Sequence, residues 1–174
     1  MTIEGVTFNN IRQALAYIFY GKDFDPEKRD KYIVPMQSSF FNPIKGDSND
    51  TYIQFFIESD RRLTQDSYGY KDDRVQKVAT VLLRFIGKDA EQWAKSMHHL
   101  TKRADVGEIW YCVCGAAILE DVGEIRPNLI DFFGKNGQIA FDMRIRLSYW
   151  ERIELPWKQL QNVSIGPGKI NTNN

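Results

Sequence analysis

From Ile139 to Trp150 the chain alternates strictly between apolar and polar positions. The odd positions read Ile139, Phe141, Met143, Ile145, Leu147 and Tyr149. The even ones read Ala140, Asp142, Arg144, Arg146, Ser148 and Trp150. A period of two places successive side chains on opposite faces of a strand, so this segment predicts a β-strand with its odd face in a core and its even face outward. The alternation can be followed toward Glu154, beyond the usual length of a strand. A strand that long is expected to run past its own sheet and meet a neighbouring subunit, because unpaired edges template further pairing.

The rest of the chain supplies what such a strand packs against. Ile11, Leu15 and Ile18, with Phe8 and Ala14 beside them, form one apolar helical face. They predict a helix from about Phe8 to Tyr20, started by Thr7 or Asn9 and stopped by Gly21. The charged, Pro26-containing stretch from Lys22 to Lys31 reads as a loop. Tyr32 to Met36 reads as a short extended piece, and Ser38 to Asp50 as a loop or hairpin tip. Thr51 to Ile57 predicts a strand. Asp60 to Asp73, flanked by Ser59, reads as a long polar loop holding Tyr68 and Tyr70 around Gly69.

Val75 to Ile86 has helix length but a β-branched and aromatic composition that favours a strand, with Ala79, Val81, Leu83 and Phe85 on one face. Asp89, with Gln92 three residues on, predicts the start of a second helix. Its stripe is Ala90, Trp93, Ala94, Met97 and Leu100, and it ends near Arg103. Ile109 to Leu119 reads as a buried strand and Asp121 to Gln138 as a turn-rich segment. The expected fold is therefore α+β: a mixed, mainly antiparallel sheet with two flanking helices and a long C-terminal strand. Residues 1–155 are expected to form one domain. Residues 156–174, polar and rich in Gly and Asn, are expected to be a tail ordered by a partner.

Composition narrows the function. The 174 residues hold 23 basic and 23 acidic side chains, for a formal net charge of zero. A dedicated nucleic-acid reader usually carries a basic excess, and a neutral surface suits a protein that ends up packed against partners. The start shows no basic segment followed by an apolar stretch, and no apolar run is long enough to span a bilayer, so neither a secretory leader nor a membrane segment is expected. Cys112 and Cys114, two apart on the expected strand, would make a strained disulfide. Both are expected to be reduced, partly buried thiols of a cytoplasmic protein, which leaves the sequons at Asn49 and Asn162 without meaning.

No arrangement in the sequence assembles a reaction centre. His98 and His99 are adjacent and diverge by about 100° on a helix, so they cannot ligate one metal. Cys112-x-Cys114 lacks a second ligand pair. Asp60, Asp66, Asp72 and Asp73 fall in one solvated loop, where converging carboxylates for a two-metal nuclease are not expected. No G-x-S-x-G elbow occurs, and Ile165-Gly166-Pro167-Gly168-Lys169 lacks the rest of a phosphate loop. No catalytic residue, cofactor or metal is expected. Arg144, Arg146 and Arg152 share the even face of the last strand with Trp150. That composition fits either a solvated outer face or a protein interface, where Trp and Arg dominate binding.

Ala79 to Arg103 (ATVLLRFIGKDAEQWAKSMHHLTKR) and Gly137 to Glu154 (GQIAFDMRIRLSYWERIE), with a hydrophobic strand and a turn-rich segment between them, resemble the tail terminators and head–tail joining proteins of tailed bacteriophages. The likeness covers roughly half of the chain, as an order of elements rather than a motif. It implies a structural virion protein, assembled in the host cytoplasm, that forms a ring, usually hexameric. Such a ring caps the tail tube and docks to the head–tail connector, with DNA passing through its lumen. On that reading Arg61, Arg62, Tyr68 and Tyr70 are expected to contact an adjacent ring, and Arg144, Arg146, Trp150 and Arg152 to help build the subunit interface. The alternatives are another tail component such as a tube or baseplate-proximal protein, a small metal-dependent nucleic-acid-processing enzyme using the acidic loop, and a monomeric binding module.

Overall fold

The computed structural model of the chain describes residues 6–36, 50–62, 74–119, 123–132 and 135–152. These form an α+β fold with helices α1 (Phe8–Tyr20), α2 (Pro26–Tyr32), α3 (Ala90–Leu100) and α4 (Ala104–Cys114). The strands are β1 (Ile33–Pro35), β2 (Tyr52–Arg62), β3 (Arg74–Ile86), β4 (Ala116–Ile118), β5 (Arg126–Phe132) and β6 (Lys135–Arg152). The sheet runs β1-β2-β3-β6-β4, and β5 also pairs with β6. Among the described residues, only the β1–β2 pairing is parallel. The mixed, mainly antiparallel sheet and the long last strand follow the alternation in the sequence. The described residues hold four helices where two are expected.

One core joins the helices to a single face of the sheet. It takes Ile11, Ala14 and Leu15 from α1, Ala90, Ala94 and Met97 from α3, and Val106, Trp110 and Cys114 from α4. From the sheet it takes Ile53, Phe55, Val81, Leu83, Phe85, Met143, Ile145 and Leu147. The odd positions of β6 are thus the core face, as expected, with one exception. Ile139 is 57% exposed, in the part of β6 that pairs with β5 and not with β3. On the even side, Ala140 is buried with Ile86, and Tyr52 packs against them.

Both helix starts legible in the sequence are N-cap positions, but only one carries a side-chain cap. Asn10 donates its backbone N–H to Thr7 Oγ1 at 3.2 Å at the start of α1. Asp89 stands at the α3 N-cap but makes no side-chain cap bond. Its backbone N–H instead donates to Thr51 Oγ1 at 3.0 Å, which ties α3 to the start of β2.

Several expectations are corrected. Residues Lys22 to Lys31 are not all loop. Asp25 caps Glu27 N–H at 2.9 Å, and Pro26 opens α2 with its ring-fixed φ already helical. Ile109 to Leu119 is not a strand. It is the second half of α4, the turn at Gly115 and then β4. Val106, Trp110 and Cys114 face the core at helical spacing, and Gly115 (φ 62°) donates to Tyr111 O at 2.9 Å to end the helix. The turn-rich reading of Asp121 to Gln138 also fails, since β5 and the first residues of β6 pair there as antiparallel strands. Pro127 is tolerated because β5 is an edge strand. Asp60, Arg61 and Arg62 belong to β2 and not to a loop, and the rest of that expected loop lies outside the described residues.

The start of β6, before Phe141, runs past β3 and pairs with β5 alone. The strand as a whole pairs with β3 from Phe141 to Arg152, with β5 near its start and with β4 from Leu147 to Tyr149. Between those last two, Gly123 and Leu119 donate N–H groups to the carbonyls of Arg144 and Arg146. Among the described residues, β6 is therefore bonded on both sides within the chain from Phe141 to Tyr149, which leaves only its ends for pairing with another subunit. What β6 offers outward is its even-numbered side chains.

Candidate interaction surface

Strand register assembles those side chains with others into one surface. Residues directly opposite in an antiparallel pair point to the same side. Arg144 is opposite Leu82, Arg146 opposite Thr80, Ser148 opposite Val78 and Trp150 opposite Gln76. Arg61 is opposite Val78 on β2, and Arg126 is opposite Asp142 on β5. This is the face turned away from the core shared with α1, α3 and α4. A bulge where Ile57 pairs with Val81 and Ser59 with Thr80 is what puts Arg61 on it. Without the extra residue, each later β2 side chain would fall on the opposite face.

Two guanidinium–carboxylate forks brace the surface. Arg84 Nε and Nη2 donate to the two oxygens of Asp142 at 2.7 and 2.8 Å. Arg144 Nε and Nη2 donate to both oxygens of Glu58, each at 2.7 Å. Hydrogen bonding to these carboxylates raises the pKa of both arginines. Asn128 Nδ2 adds a 3.1 Å bond to Asp142, and Gln76 Nε2 donates to Ser148 Oγ at 3.1 Å. Trp150 stays 58% exposed beside this polar lattice. Arg61 and Arg126 are exposed and reach no carboxylate among the described residues.

Of the residues singled out from sequence, Arg61, Arg144, Arg146 and Trp150 therefore come together on one sheet face. Arg62 stands opposite Lys77 and Arg152 opposite Arg74 in the register. Their side chains lie outside the described residues, as do Tyr68 and Tyr70 entirely. Arg84, Glu58 and Arg126 were missed. Arg84 carried a signal, since the even positions of β3 must face away from Ala79, Val81, Leu83 and Phe85. Arg126 carried none, being hidden in a segment that reads as turns.

The residues considered for chemistry are otherwise engaged. Asp60 accepts from Tyr149 Oη at 2.8 Å and pairs with Lys77 at 3.2 Å. Lys77 also pairs with Glu151. The pKa of Lys77 is raised, first by its hydrogen bond to Glu151, and that of Tyr149 is raised chiefly by burial. Asp66, Asp72 and Asp73 lie outside the described residues. The rings of His98 and His99 are 6.0 Å apart on α3. Cys112 is exposed and Cys114 buried, on a helix rather than a strand, and burial pushes the Cys114 thiol up to about 12. Among the described residues, no group of three or more His, Cys, Asp or Glu side chains could hold a metal ion, and no helix is long and apolar enough to cross a membrane.

No family model matches the chain, and no curated protein matches it in sequence.

Proposed function

We propose that this chain is a structural protein of a tailed-phage virion, acting in a ring that terminates the tail tube and joins it to the head connector. The observation that carries this reading is the outer sheet face, where Trp150 is 58% exposed among arginines fixed by strand register. A large aromatic held in water beside guanidinium groups is a costly arrangement for an isolated surface and a common one for a protein contact. The strand β3, Gly87, helix α3 and the long final strand β6 keep the order that the resemblance implies, although α4 stands where it implies a hydrophobic strand. In this role the work is steric: the ring presents one surface to the tube end and another that a further tube ring does not fit. Partners would be sister copies, the tube protein and the connector protein, with DNA only in transit.

The test is an electron micrograph of particles made without this protein. Overlong tails, or full-length tails unjoined to heads, are the expected outcome. Normal joined tails would refute the role. A missing tube or baseplate would point to another tail component instead. Metal-dependent cleavage of DNA by the purified chain would favour the enzyme reading, although Asp60 is already held by Tyr149 and Lys77.

A further inference from the structure

Resting on that reading, we infer that the outer sheet face of one copy docks head to tail on the outer surface of α4 in a second copy, with Trp150 seated beside Tyr111. Three observations lead there. First, the sheet face is electrically lopsided. Its two forks cancel internally, Arg84 with Asp142 and Arg144 with Glu58, while Arg61 and Arg126 remain exposed without a carboxylate among the described residues. Two copies cannot pair through this same face without bringing like charges together, which is repulsive. Second, the whole chain is neutral, so a positive excess here is matched by a negative excess elsewhere on the same chain. Glu108, exposed on α4, has no cationic partner among the described residues, whereas Asp105 is taken by Arg103.

Third, the two most exposed aromatics among the described residues sit on opposite sides. Trp150 is 58% exposed on the sheet face, and Tyr111 is 65% exposed on α4, whose inner face packs Trp110 and Cys114 into the core. Different patches on opposite sides of one molecule make a heterologous contact, and repetition of such a contact closes a ring when its rotation allows. Edge pairing is the weaker route, because the free part of β2 carries a bulge, Asp60 and Arg61, features that discourage strand addition. A nucleic acid is also a poor occupant, since phosphate contacts dominate its affinity and, among the described residues, two arginines without a carboxylate stand here.

The experiment places the photo-cross-linker p-benzoylphenylalanine at position 150 of the full-length chain, at low and at high salt, and maps the products by mass spectrometry. Intermolecular cross-links from 150 to peptides spanning Ala104–Cys114, weakening as salt rises, are expected. Arg61→Glu/Arg126→Glu, whose exposed sites leave folding intact by circular dichroism, should lower their yield at least about tenfold. Adding Glu108→Arg should restore part of it. No intermolecular cross-link, links from 150 to β6 of the neighbour, or links to any other surface would overturn the contact. So would cross-linking from position 150 to an added DNA duplex in the absence of self-cross-linking. Overlong tails in particles lacking the protein, together with a failed cross-link, would leave the role standing and this interface refuted.

Discussion

Arg84 on β3 and Asp142 on β6 face each other across the central strand pair and form a two-pronged ion pair with both side chains nearly out of water, 13% and 12% exposed. The 2.7 and 2.8 Å bonds use two donors of the guanidinium, and Asn128 satisfies a further site on Asp142. Removing one member leaves the other desolvated and unpaired. Asp142→Ala or Arg84→Ala should therefore destabilise the fold by about 3–5 kcal/mol, while Arg84→Met/Asp142→Leu should cost much less than the sum of the two. Urea denaturation of the four proteins measures this directly. Additive losses would show that the pair is not a unit.

Gly87 ends β3 with φ 119°, a conformation L-residues rarely adopt, and a Cβ there would come within 2.7 Å of Thr51 Cα and closer still to the Asp50 carbonyl. Gly87→Ala should cost about 1–3 kcal/mol or more from strain and displacement of the Asp50–Thr51 backbone. Since Thr51 also anchors the start of α3, amide exchange should quicken at both ends of that contact. An alanine variant as stable as the parent would refute the close approach.

Trp110 is fully buried on α4, and its indole Nε1 has no hydrogen-bond partner among the described residues. Trp110→Ala should cost about 3–5 kcal/mol by opening a cavity. Trp110→Phe should cost far less, because it also removes a buried donor that gains nothing. Thermal melts of both variants separate volume from polarity: equal losses would mean that the indole nitrogen does find a partner.

The two thiols should react very differently. Cys112 is exposed, while Cys114 is buried with its thiol pKa pushed up to about 12. The thiolate is the reactive form, so a thiol reagent at mildly alkaline pH should modify one cysteine quickly and the second only on unfolding. Two fast equivalents from the native protein would contradict the helical placement of this pair.

Tyr20, Tyr52 and Tyr149 all hold their phenolic protons more tightly in the fold than in water, mainly because burial disfavours the anion. Tyr20 is pushed from 10.0 up to about 12. A group with a raised folded-state pKa contributes stability that is complete below its unfolded value and is lost as pH climbs through the folded one. Stability should therefore fall between about pH 10 and about pH 12. Tyrosinate absorbance should show some tyrosines ionising early and others only with loss of structure. A single smooth titration of all tyrosines near pH 10 would rule this out.

The sequence showed a good part of the fold and some of the surface. Alternation marked β6 and the core face of β3 because each strand is half-buried, so period two is written into the residue types. Thr7 and Gly21 marked α1 for local reasons that hold in any context. Asp25-Pro26 was an equally local start signal for α2, but the charge of the segment around it masked a helix of only seven residues. The run from Ile109 to Leu119 could not be read locally. An apolar stretch rich in Val, Ile, Trp and Tyr fits a buried strand or a buried helix equally, and what separates them is the sheet against which Trp110 and Cys114 pack.

The residue order by itself determined that β6 is a two-faced strand and that arginines and Trp150 share its outer side, because pleating is a local property of the backbone. Only the tertiary structure decided which distant residues join them. Strand register, set by long-range pairing and shifted by the bulge after Ile57, brought Arg61 and Arg126 to that face, set Arg84 against Asp142, and engaged the edge of β6 within the chain. Pairing partners are chosen by the burial and hydrogen bonding of the whole sheet, so no window along the chain contains that information.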